Sequence, residues 1–304
     1  MLNLKEELKK AFRVPKRCGI KWSIWIIAGL FFANLVLVGY FVVFSVNNND
    51  LKVIFLDVGQ GDSILIQTAK RQNILIDGGP DQNIIYKLDK YIPFFQRKID
   101  LMILTHPDPD HLNGLVAVLR RYKVIQAIDN GNGDASPAYA EYINLIQLKN
   151  IARFIISQPQ KINFERLSLN FFWPAKNLIS EPIKDDNFAS IIFKIVDDKN
   201  SFLFTGDATE ETEAMLINSG QNLEADVLKV GHHGSKYSSM IEFLEKIKPK
   251  FAIISVGADN KFGHPSLRAI KNLETVGAKI LRTDEKGDII FTSDGQQLKI
   301  KTQK

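Results

Sequence analysis

The longest apolar segment of the chain lies near its N-terminus. Residues 22–46 read WSIWIIAGLFFANLVLVGYFVVFSV, which is 25 residues without a charged side chain. A helix rises about 1.5 Å per residue, so a segment of this length exceeds the roughly 30 Å hydrocarbon core of a bilayer. The pattern therefore predicts one membrane-spanning helix over residues 22–46.

Beyond this segment, short β-rich runs form two hairpin-like pairs, and each pair ends in an acidic turn that contains glycine. The first pair is residues 63–66 and 73–76, followed by Asp77, and the second is residues 190–193 and 201–204, followed by Asp207. Each pair is followed by an apolar run, a histidine and a helical stretch. After the first pair these are residues 101–104, His106 and residues 112–122, and after the second they are residues 227–230, His232 and residues 240–247. Two such ββ…βα units predict an α/β fold in which two sheets pack face to face, with helices outside and strand ends converging at one edge.

Composition and charge narrow the class of protein. With 45 % apolar residues, 24 % charged residues and one cysteine in 304 residues, the chain is not of the disordered, collagen-like or disulfide-framework type. Residues 1–21 hold seven basic and two acidic side chains, which accounts for the net charge of +5 and leaves 32 of each sign in the remainder. A neutral body gives no global electrostatic argument for nucleic-acid binding, so that argument must rest on local chemistry.

The basic N-terminal segment also predicts the orientation of the span. The other flank, residues 47–50, reads NNND, so the positive-inside rule places the N-terminus in the cytoplasm and the body outside the cell membrane. The alternative is a cleaved signal peptide, which the length of the apolar run and the lack of a small-x-small cleavage site disfavour. The predicted organisation is a basic cytoplasmic tail at residues 1–21, an anchor at residues 22–46 and one extracytoplasmic domain at residues 50–304.

Residues 105–111 read THPDPDH and form the stretch richest in candidate ligands. Prolines fix their own φ and push the preceding residue toward extended conformations, so this segment is predicted to be extended rather than helical. Alternate side chains of an extended chain point to the same side, which aligns His106, Asp108 and Asp110, and His111 then opens the helix. Two imidazoles and two carboxylates at this spacing predict a divalent-metal site with nitrogen and oxygen ligands, and the alternative is a capped helix start with exposed polar side chains.

The five histidines of the chain fall in three short motifs. These are the stretch above, GHHGS at residues 231–235 and GHPS at residues 263–266. A lone histidine is usually structural, whereas histidines confined to motifs of this kind indicate one shared site.

Several motifs together resemble a known family. His106-x-Asp108-x-Asp110-His111 is similar to the metal signature of the metallo-β-lactamase superfamily, with Asp108 where lactamases usually carry a histidine. Four further motifs resemble the hydrolase domain of the ComEC competence proteins, which take part in DNA internalisation. They are FLDVGQGDS at residues 55–63, LIDGG at 75–79, LFTGD at 203–207 and LKVGHHGS at 228–235. The resemblance covers nearly all of residues 51–300 and implies the four-layer αβ/βα sandwich, a two-metal site and hydrolysis of DNA phosphodiesters. Those proteins are polytopic channels with an oligonucleotide-binding domain, whereas this sequence shows one span, so a separate DNA-uptake channel is the expected partner.

The resemblance implies ligands for two divalent ions, which are His106 and Asp108 for one, Asp110 and His111 for the other, and Asp207 bridging both. Without that context, Asp207 would be an ordinary turn residue after a strand. His232 is the preferred further ligand, because the internal repeat places it where His106 lies in the first half, and His233 is the alternative. Lactamases usually carry another histidine in the interval that Asn187 occupies here. One ion is therefore predicted to be less completely ligated, and the oxygen-rich ligand set makes Mn²⁺ an alternative to Zn²⁺.

Other residues of these motifs are predicted to support the chemistry. The acidic turn residues expected to orient the metal-binding loop, or otherwise to be simple turn acids, are Asp57, Asp62 and Asp77. His233 or His264 is expected to hydrogen-bond the phosphate in the transition state or to protonate the leaving group, beside a hydroxide next to Asp110. The candidate phosphate contacts are Lys229, Ser235, Lys236 and Lys261, and the alternative for the lysines is an ordinary solvated charge.

The predicted function is an outward-facing, membrane-anchored, metal-dependent phosphodiesterase that acts on DNA. The neutral body keeps a second enzyme open, one that hydrolyses a small phosphoester of the phosphocholine type, a lactone or a thioester, because non-specific DNA-binding proteins usually carry a basic stripe. A third possibility is a non-enzymatic binding module with a degenerate site. The intact set of ligands in residues 105–111 argues against that possibility.

Overall fold

The computed structural model describes residues 19–46, 50–133, 135–164, 166–176, 178 and 185–304, and the chain divides into two compact units between Asn48 and Asn49. In the first unit, helix α1 covers Gly19–Val46. Its side chains are described at residue 22 and at residues 24–39, where they are exposed. Within the described part of the chain, no helix offers an apolar stretch long enough to cross a membrane. The span over residues 22–46 stays a prediction, and most of the basic tail lies outside the described residues.

The second unit contains fifteen strands and seven α-helices among its described residues. The strands are β1 Leu51–Phe55, β2 Ile64–Gln67, β3 Asn73–Ile76, β4 Lys98–Ile103, β5 Lys123–Asp129, β6 Ala152–Ile155, β7 Gln160–Phe164, β8 Leu167–Trp173, β9 Ile192–Asp197, β10 Asn200–Phe204, β11 Val227–Lys229, β12 Phe251–Ile254, β13 Lys279–Arg282, β14 Ile289–Ser293 and β15 Leu298–Thr302. The helices are α2 Ile84–Tyr91, α3 Pro109–Arg121, α4 Pro137–Leu148, α5 Glu210–Ile217, α6 Ile241–Ile247, α7 Leu267–Thr275 and α8 Thr283–Lys286.

The strands form two mixed sheets. The first sheet has the order β15-β14-β1-β2-β3-β4-β5-β6, and β3 to β6 are parallel. The second has the order β13-β12-β11-β10-β9-β8-β7, and β10 to β13 are parallel. Both predicted hairpins are present, because β2 pairs with β3 and β9 pairs with β10 in antiparallel register.

The hydrophobic pattern of the strands explains why the two sheets stack. Along β1, Leu51, Val53 and Phe55 belong to the core between the sheets, whereas Ile54 packs with the helices outside. The rings of Phe55 and Phe204, one from each sheet, lie 6.3 Å apart. Alternate side chains of a strand face opposite sides, so each inner strand contributes to two cores. The result is the predicted αβ/βα sandwich, with α2 to α4 against the first sheet and α5 to α7 against the second.

The structure differs from the sequence prediction at the start of α3. The helix begins at Pro109, and Asp108 is its N-cap residue in an extended conformation. Proline is tolerated at the first helical position because its missing N–H would have no intrahelical partner there. Asp110 and His111 therefore lie in the first helical turn, and only residues 105–108 are non-helical.

Candidate metal centre

Loops that follow the strand ends at one edge of the two sheets bring the motif residues together. Asp77, which directly follows β3, is fully buried and acts as the acceptor for the loop after β4. Its carboxylate accepts the backbone N–H of Thr105 at 2.8 Å and the Thr105 hydroxyl at 2.7 Å, and it lies 2.8 Å from Nδ1 of His111. The Thr105 hydroxyl oxygen in turn lies 2.9 Å from Nδ1 of His106. Both imidazoles are thereby held at Nδ1 and direct Nε2 toward the site, as is typical of metal-ligating histidines.

Asp110 reaches the site from the first turn of α3, where the loop of residues 57–62 passes over it. The backbone N–H of Asp62 donates to the Asp110 carbonyl at 3.2 Å. Gly61 makes this approach possible, because its φ is +123° and a Cβ there would clash with the Asp110 carbonyl oxygen. Burial alone would raise the pKa of Asp110, but the neighbouring imidazoles of His233 and His111 hold it well below its usual range.

The second half of the site is built on the ends of β10 and β11. Asp207, which is 2 % exposed, lies with Oδ1 3.4 Å from Nε2 of His111 and Oδ2 3.3 Å from Nε2 of His233. His233 donates from Nδ1 to the Ser255 carbonyl at 2.8 Å, which leaves Nε2 facing Asp207 and Asp110, the latter at 3.3 Å. Burial lowers the pKa of His233, but the charge of Asp207 and the other carboxylates raises it overall to about 9. The carboxylates therefore favour positive charge at this position.

The donor set fits divalent metal ions. His106, His111 and Asp207 offer ligand atoms within 4.8 Å of one another, and so do Asp110, His111 and His233. Among the described residues, Nε2 of all three histidines and Oδ1 of Asp207 are buried and lack a hydrogen-bond partner. Buried polar atoms are rarely left unpaired, and here they converge from several elements on the same space. Imidazole and carboxylate ligands suit Zn²⁺ and Mn²⁺, and these clusters lie side by side with His111 in common.

Asp108 and His232 lie at the border of the clusters. Asp108 has one carboxylate oxygen 3.6 Å from Nε2 of His106, and a third of its side chain is exposed. Nε2 of His232 lies 3.9 Å from Asp207, farther than the 3.3 Å of His233. The structure thus brings His233, the alternative in the sequence analysis, into a three-residue cluster and leaves the preferred His232 outside both of them.

His264 lies next to this centre. Its ring is 5.5 Å from that of His232 and 6.4 Å from that of His233. Burial and the two neighbouring histidines lower the pKa of His264 to about 4, so its imidazole is neutral at pH 7. The ring centre of the exposed Phe262 lies 5.8 Å from that of His264. His264 therefore lies between the centre and the protein surface.

Lys229 lies beneath the centre and does not reach the surface. Its side chain is 1 % exposed, and its ammonium group donates to the Asp62 carboxylate and to the Gly206 carbonyl at 3.2 Å. The ammonium nitrogen is 3.8 Å from Oδ1 of Asp207. Lys229 therefore balances the charge of two site carboxylates, a position different from the phosphate contact that the sequence suggested.

The remaining predicted residues are distributed around the centre. Ser235 is buried, and its hydroxyl accepts the backbone N–H of Tyr237, whereas Lys236 and Lys261 are exposed. Asn187 lies in a short 3₁₀ helix, Asp186–Ala189, and its side-chain oxygen is buried without a hydrogen-bond partner among the described residues. Asp57 is not in either cluster, because its backbone donates to Asp288 and its carboxylate faces Lys304.

Two residues of the site were not identified from the sequence. Thr105 connects Asp77 to His106, as described above. Asn130 directly follows β5 and donates from Nδ2 to the Thr105 carbonyl at 3.3 Å and to the Ala189 carbonyl at 2.9 Å. The signal that was available is its position after a strand, since the neighbouring parallel strands β3 and β4 are also followed by site residues.

A family model described as the metallo-beta-lactamase superfamily matches residues 56–258. The match covers more than half of the chain, and it spans every element that contributes to the clusters. The chain belongs to the metallo-beta-lactamase superfamily. Proteins of this fold typically bind divalent metal ions, often two, which agrees with the donor set, and the chain is thereby a metal-dependent hydrolase by class.

Relatives with names connected to competence are similar to this chain. ComE operon protein 3 of Bacillus subtilis is 29 % identical over 259 residues, which are 79 % of this chain and 33 % of the relative. Competence protein ComA of Neisseria gonorrhoeae is 29 % identical over 289 residues, which are 91 % of this chain and 36 % of the relative. The chain thus spans about a third of the length of these relatives.

Solved structures share the fold. The metallo-beta-lactamase fold protein YhfI from Bacillus subtilis has a TM-score of 0.54 at 13 % identity, with 81 % of this chain and 100 % of that chain covered. The β-hydroxylase CmlA has a TM-score of 0.52 at 12 % identity, with 79 % of this chain and 53 % of that chain covered. At these identities the similarity concerns the fold alone.

Proposed function

We propose that this protein is a membrane-anchored metal-dependent phosphodiesterase that faces outward and cleaves DNA. The observation that carries the proposal is the set of three-residue clusters that share His111 at the converging strand ends. The competence-related names of the relatives support DNA as the substrate and DNA uptake as the setting. On this proposal, a separate channel protein takes up the strand.

In this proposal, His106, Asp108, Asp110, His111, Asp207 and His233 hold two divalent ions, Zn²⁺ or Mn²⁺. Bound ions would supply the Lewis acidity that polarises a phosphodiester and activates water. The residues of the chain keep that site in place, since Asp77 fixes His111 and the Ser255 carbonyl fixes His233. His264 is placed to contact a bound phosphate, because it lies between the ligand His233 and the surface ring of Phe262.

The surface beside His264 supports a polymer as the substrate. We call Lys236, Tyr237, Lys261 and Phe262 the rim. Both aromatic rings of the rim are exposed, and each has a lysine ammonium above it, at 4.8 Å for Tyr237 and 5.7 Å for Phe262. Exposed aromatic rings next to cations are typical of surfaces that bind single-stranded nucleic acids. The neutral charge of the body favours a small phosphoester instead, and that is the second candidate.

Membrane anchoring through α1 completes the proposal. Its described side chains from residue 24 to residue 39 are apolar apart from Asn34 and are exposed. An exposed helix of this composition is stable in a bilayer rather than in water. The basic residues before it favour a cytoplasmic N-terminus and a catalytic domain outside the cell membrane.

A cleavage assay tests the activity. The domain of residues 50–304 is supplied with Mn²⁺ or Zn²⁺ and mixed with single-stranded DNA, double-stranded DNA and a small phosphodiester, and Asp110→Ala is measured in parallel. Metal-dependent DNA cleavage that the variant loses is the expected result. Cleavage of the small ester alone would replace DNA with a small phosphoester, and full activity after metal removal would overturn the mechanism.

A further inference from the structure

An exposed aromatic pair lies at the side of the first sheet where its parallel strands begin, opposite the metal centre. Phe94 and Phe95 precede β4, are 76 % and 71 % exposed, and contact each other with ring centres 5.5 Å apart. The metal-binding loop follows the other end of the same strand, so the pair and the centre lie at opposite edges of the sheet. Exposed apolar side chains flanked by polar residues are typical of surfaces that bind proteins or membranes.

Basic side chains line a cavity close to this pair. A cavity of about 500 Å³ is lined by Arg120, Arg121, Tyr122, Lys123, Val124 and Lys149. The backbone N–H of Lys123, a residue of this lining, donates to the Arg97 carbonyl at 3.0 Å. Arg97 is two residues from Phe95 in the sequence. Arg120 pairs with Glu141, but among the described residues no carboxylate pairs with Arg121 or Lys123. We call Phe94, Phe95, Arg121 and Lys123 the basal face.

The chain enters the domain at the same edge. β1 is antiparallel to β2, which is antiparallel to β3, and β3 is parallel to β4. Leu51, the first residue of β1, therefore lies at the edge where β4 and β5 begin. In the sequence, residues 47–50 are all that separates the proposed span over residues 22–46 from Leu51.

From this convergence we propose that the basal face docks on an anionic lipid surface, with the metal centre turned away from the bilayer. The inference rests on the anchoring part of the proposed function. Aromatic side chains are favoured at the membrane–water interface, and arginine and lysine are attracted to anionic headgroups. A lipid surface fits better than DNA, because DNA held at this edge would be on the far side of the domain from the centre that cleaves it.

The test places a fluorescent probe on the basal face of the full chain. Cys18→Ser removes the only cysteine, and Phe95→Cys or Tyr237→Cys then provides one attachment point for an environment-sensitive dye, the latter on the rim at the opposite edge. The chains are reconstituted into vesicles of phosphatidylcholine, with or without phosphatidylglycerol. We expect severalfold brighter, blue-shifted emission at position 95 with phosphatidylglycerol and no change at position 237.

Charge variants and a retention assay separate the possible outcomes. Arg121→Gln with Lys123→Gln should remove most of the response at position 95, whereas Lys246→Gln with Lys271→Gln, a matched pair of exposed lysines on α6 and α7, should retain it. An unchanged probe at position 95, equal responses at both positions, or a response to oligonucleotides in place of vesicles would overturn the docking proposal. Resistance of the vesicle-bound chain to alkaline extraction reports anchoring separately, so retention without a probe response rejects only the docking.

Discussion

Asp77 is the residue on which the two histidines of the first half depend. Its carboxylate contacts His111 directly and His106 through Thr105. Outer carboxylates of this kind raise the basicity of a ligating imidazole, and their loss typically costs about 10- to 100-fold in metal affinity. We therefore expect Asp77→Asn to weaken Mn²⁺ or Zn²⁺ binding by a factor in that range, measured by competition with a chromophoric chelator.

The matched control for this substitution is Asp81→Asn. Asp81 is exposed four residues further on, and its carboxylate contacts only the nearby Asn83 among the partners described. It should bind metal as the wild type does. Equal affinities for Asp77→Asn and the wild type would show that the histidines are oriented without this carboxylate.

His232 and His233 are adjacent in sequence but different in position. Only His233 has Nε2 within 3.3 Å of both Asp110 and Asp207. A metal that binds the folded state stabilises it by about 2.7 kcal/mol when its concentration is 100 times its dissociation constant. The thermal midpoint of the domain should therefore rise with added metal in the wild type and in His232→Ala, and hardly change in His233→Ala. The opposite result for the two variants would restore His232 as the ligand.

At the residue scale, the sequence alone identified most of the members of the clusters but not their arrangement. His106, Asp110 and His111 could be predicted because ligand types recur at a spacing that a strand end and a helix start bring together. The choice between His232 and His233 could not be made, because both adopt a left-handed backbone, with φ of 46° and 52°, which no local pattern indicates. The burial of Lys229 depends on the partners Asp62 and Asp207, which come from distant parts of the chain.

At the element scale, Glu213 joins α5 to α6. Its two carboxylate oxygens accept the backbone N–H groups of Ser239 and Met240, at 2.7 and 2.8 Å, just before α6 begins. Burial raises the pKa of Glu213 from 4.5 to about 8, although the two backbone hydrogen bonds lower it. The charge of nearby Glu210 contributes to this rise, and the charge of Arg268 opposes it.

This shift predicts a pH dependence of stability. Between pH 4.5 and about 8 the folded state holds a proton on Glu213 that the unfolded state has lost, so stability falls as pH rises through this window. We expect Glu213→Gln to remove this part of the slope in urea unfolding of residues 50–304, measured from pH 5 to pH 8.5. Glu245→Gln, an exposed residue on α6, should keep the wild-type slope. A wild-type slope in Glu213→Gln would assign the dependence to other groups.

The elements themselves could be predicted where local patterns are strong. The two hairpins and the helices after His106 and His232 follow from alternating apolar residues and helical periodicity. The predicted start of α3 was two residues too late. A proline such as Pro109 is as compatible with the first position of a helix as with an extended segment. The strands β5 to β8 and β12 to β15 were not predicted. Among them, β7 and β15 are only partly buried, and β14 pairs with β1, which is far away in sequence.

At the scale of the whole molecule, the internal repeat made two stacked sheets predictable, whereas the contacts that join the halves were not. Asn130 is such a contact. It is 2 % exposed, and its amide donates to the Thr105 carbonyl from the first half and to the Ala189 carbonyl from the second. The sequence places Asn130 after a strand but does not indicate its partners, which lie 25 and 59 residues away.

The joint at Asn130 gives the last prediction. Asn130→Ala removes the donor of two buried carbonyls, and a buried polar group that loses its partner costs about 1–3 kcal/mol. We expect a loss of that size in urea unfolding of residues 50–304, together with weaker metal binding, since Thr105 also positions His106. Asn218→Ala removes an exposed hydrogen bond from the side-chain amide to the Ala214 carbonyl and should change neither quantity. Loss of stability with normal metal binding in Asn130→Ala would contradict this role for Asn130. The sheets and the hydrogen bond from the Ile191 N–H to the Thr105 carbonyl would then suffice to position the loop.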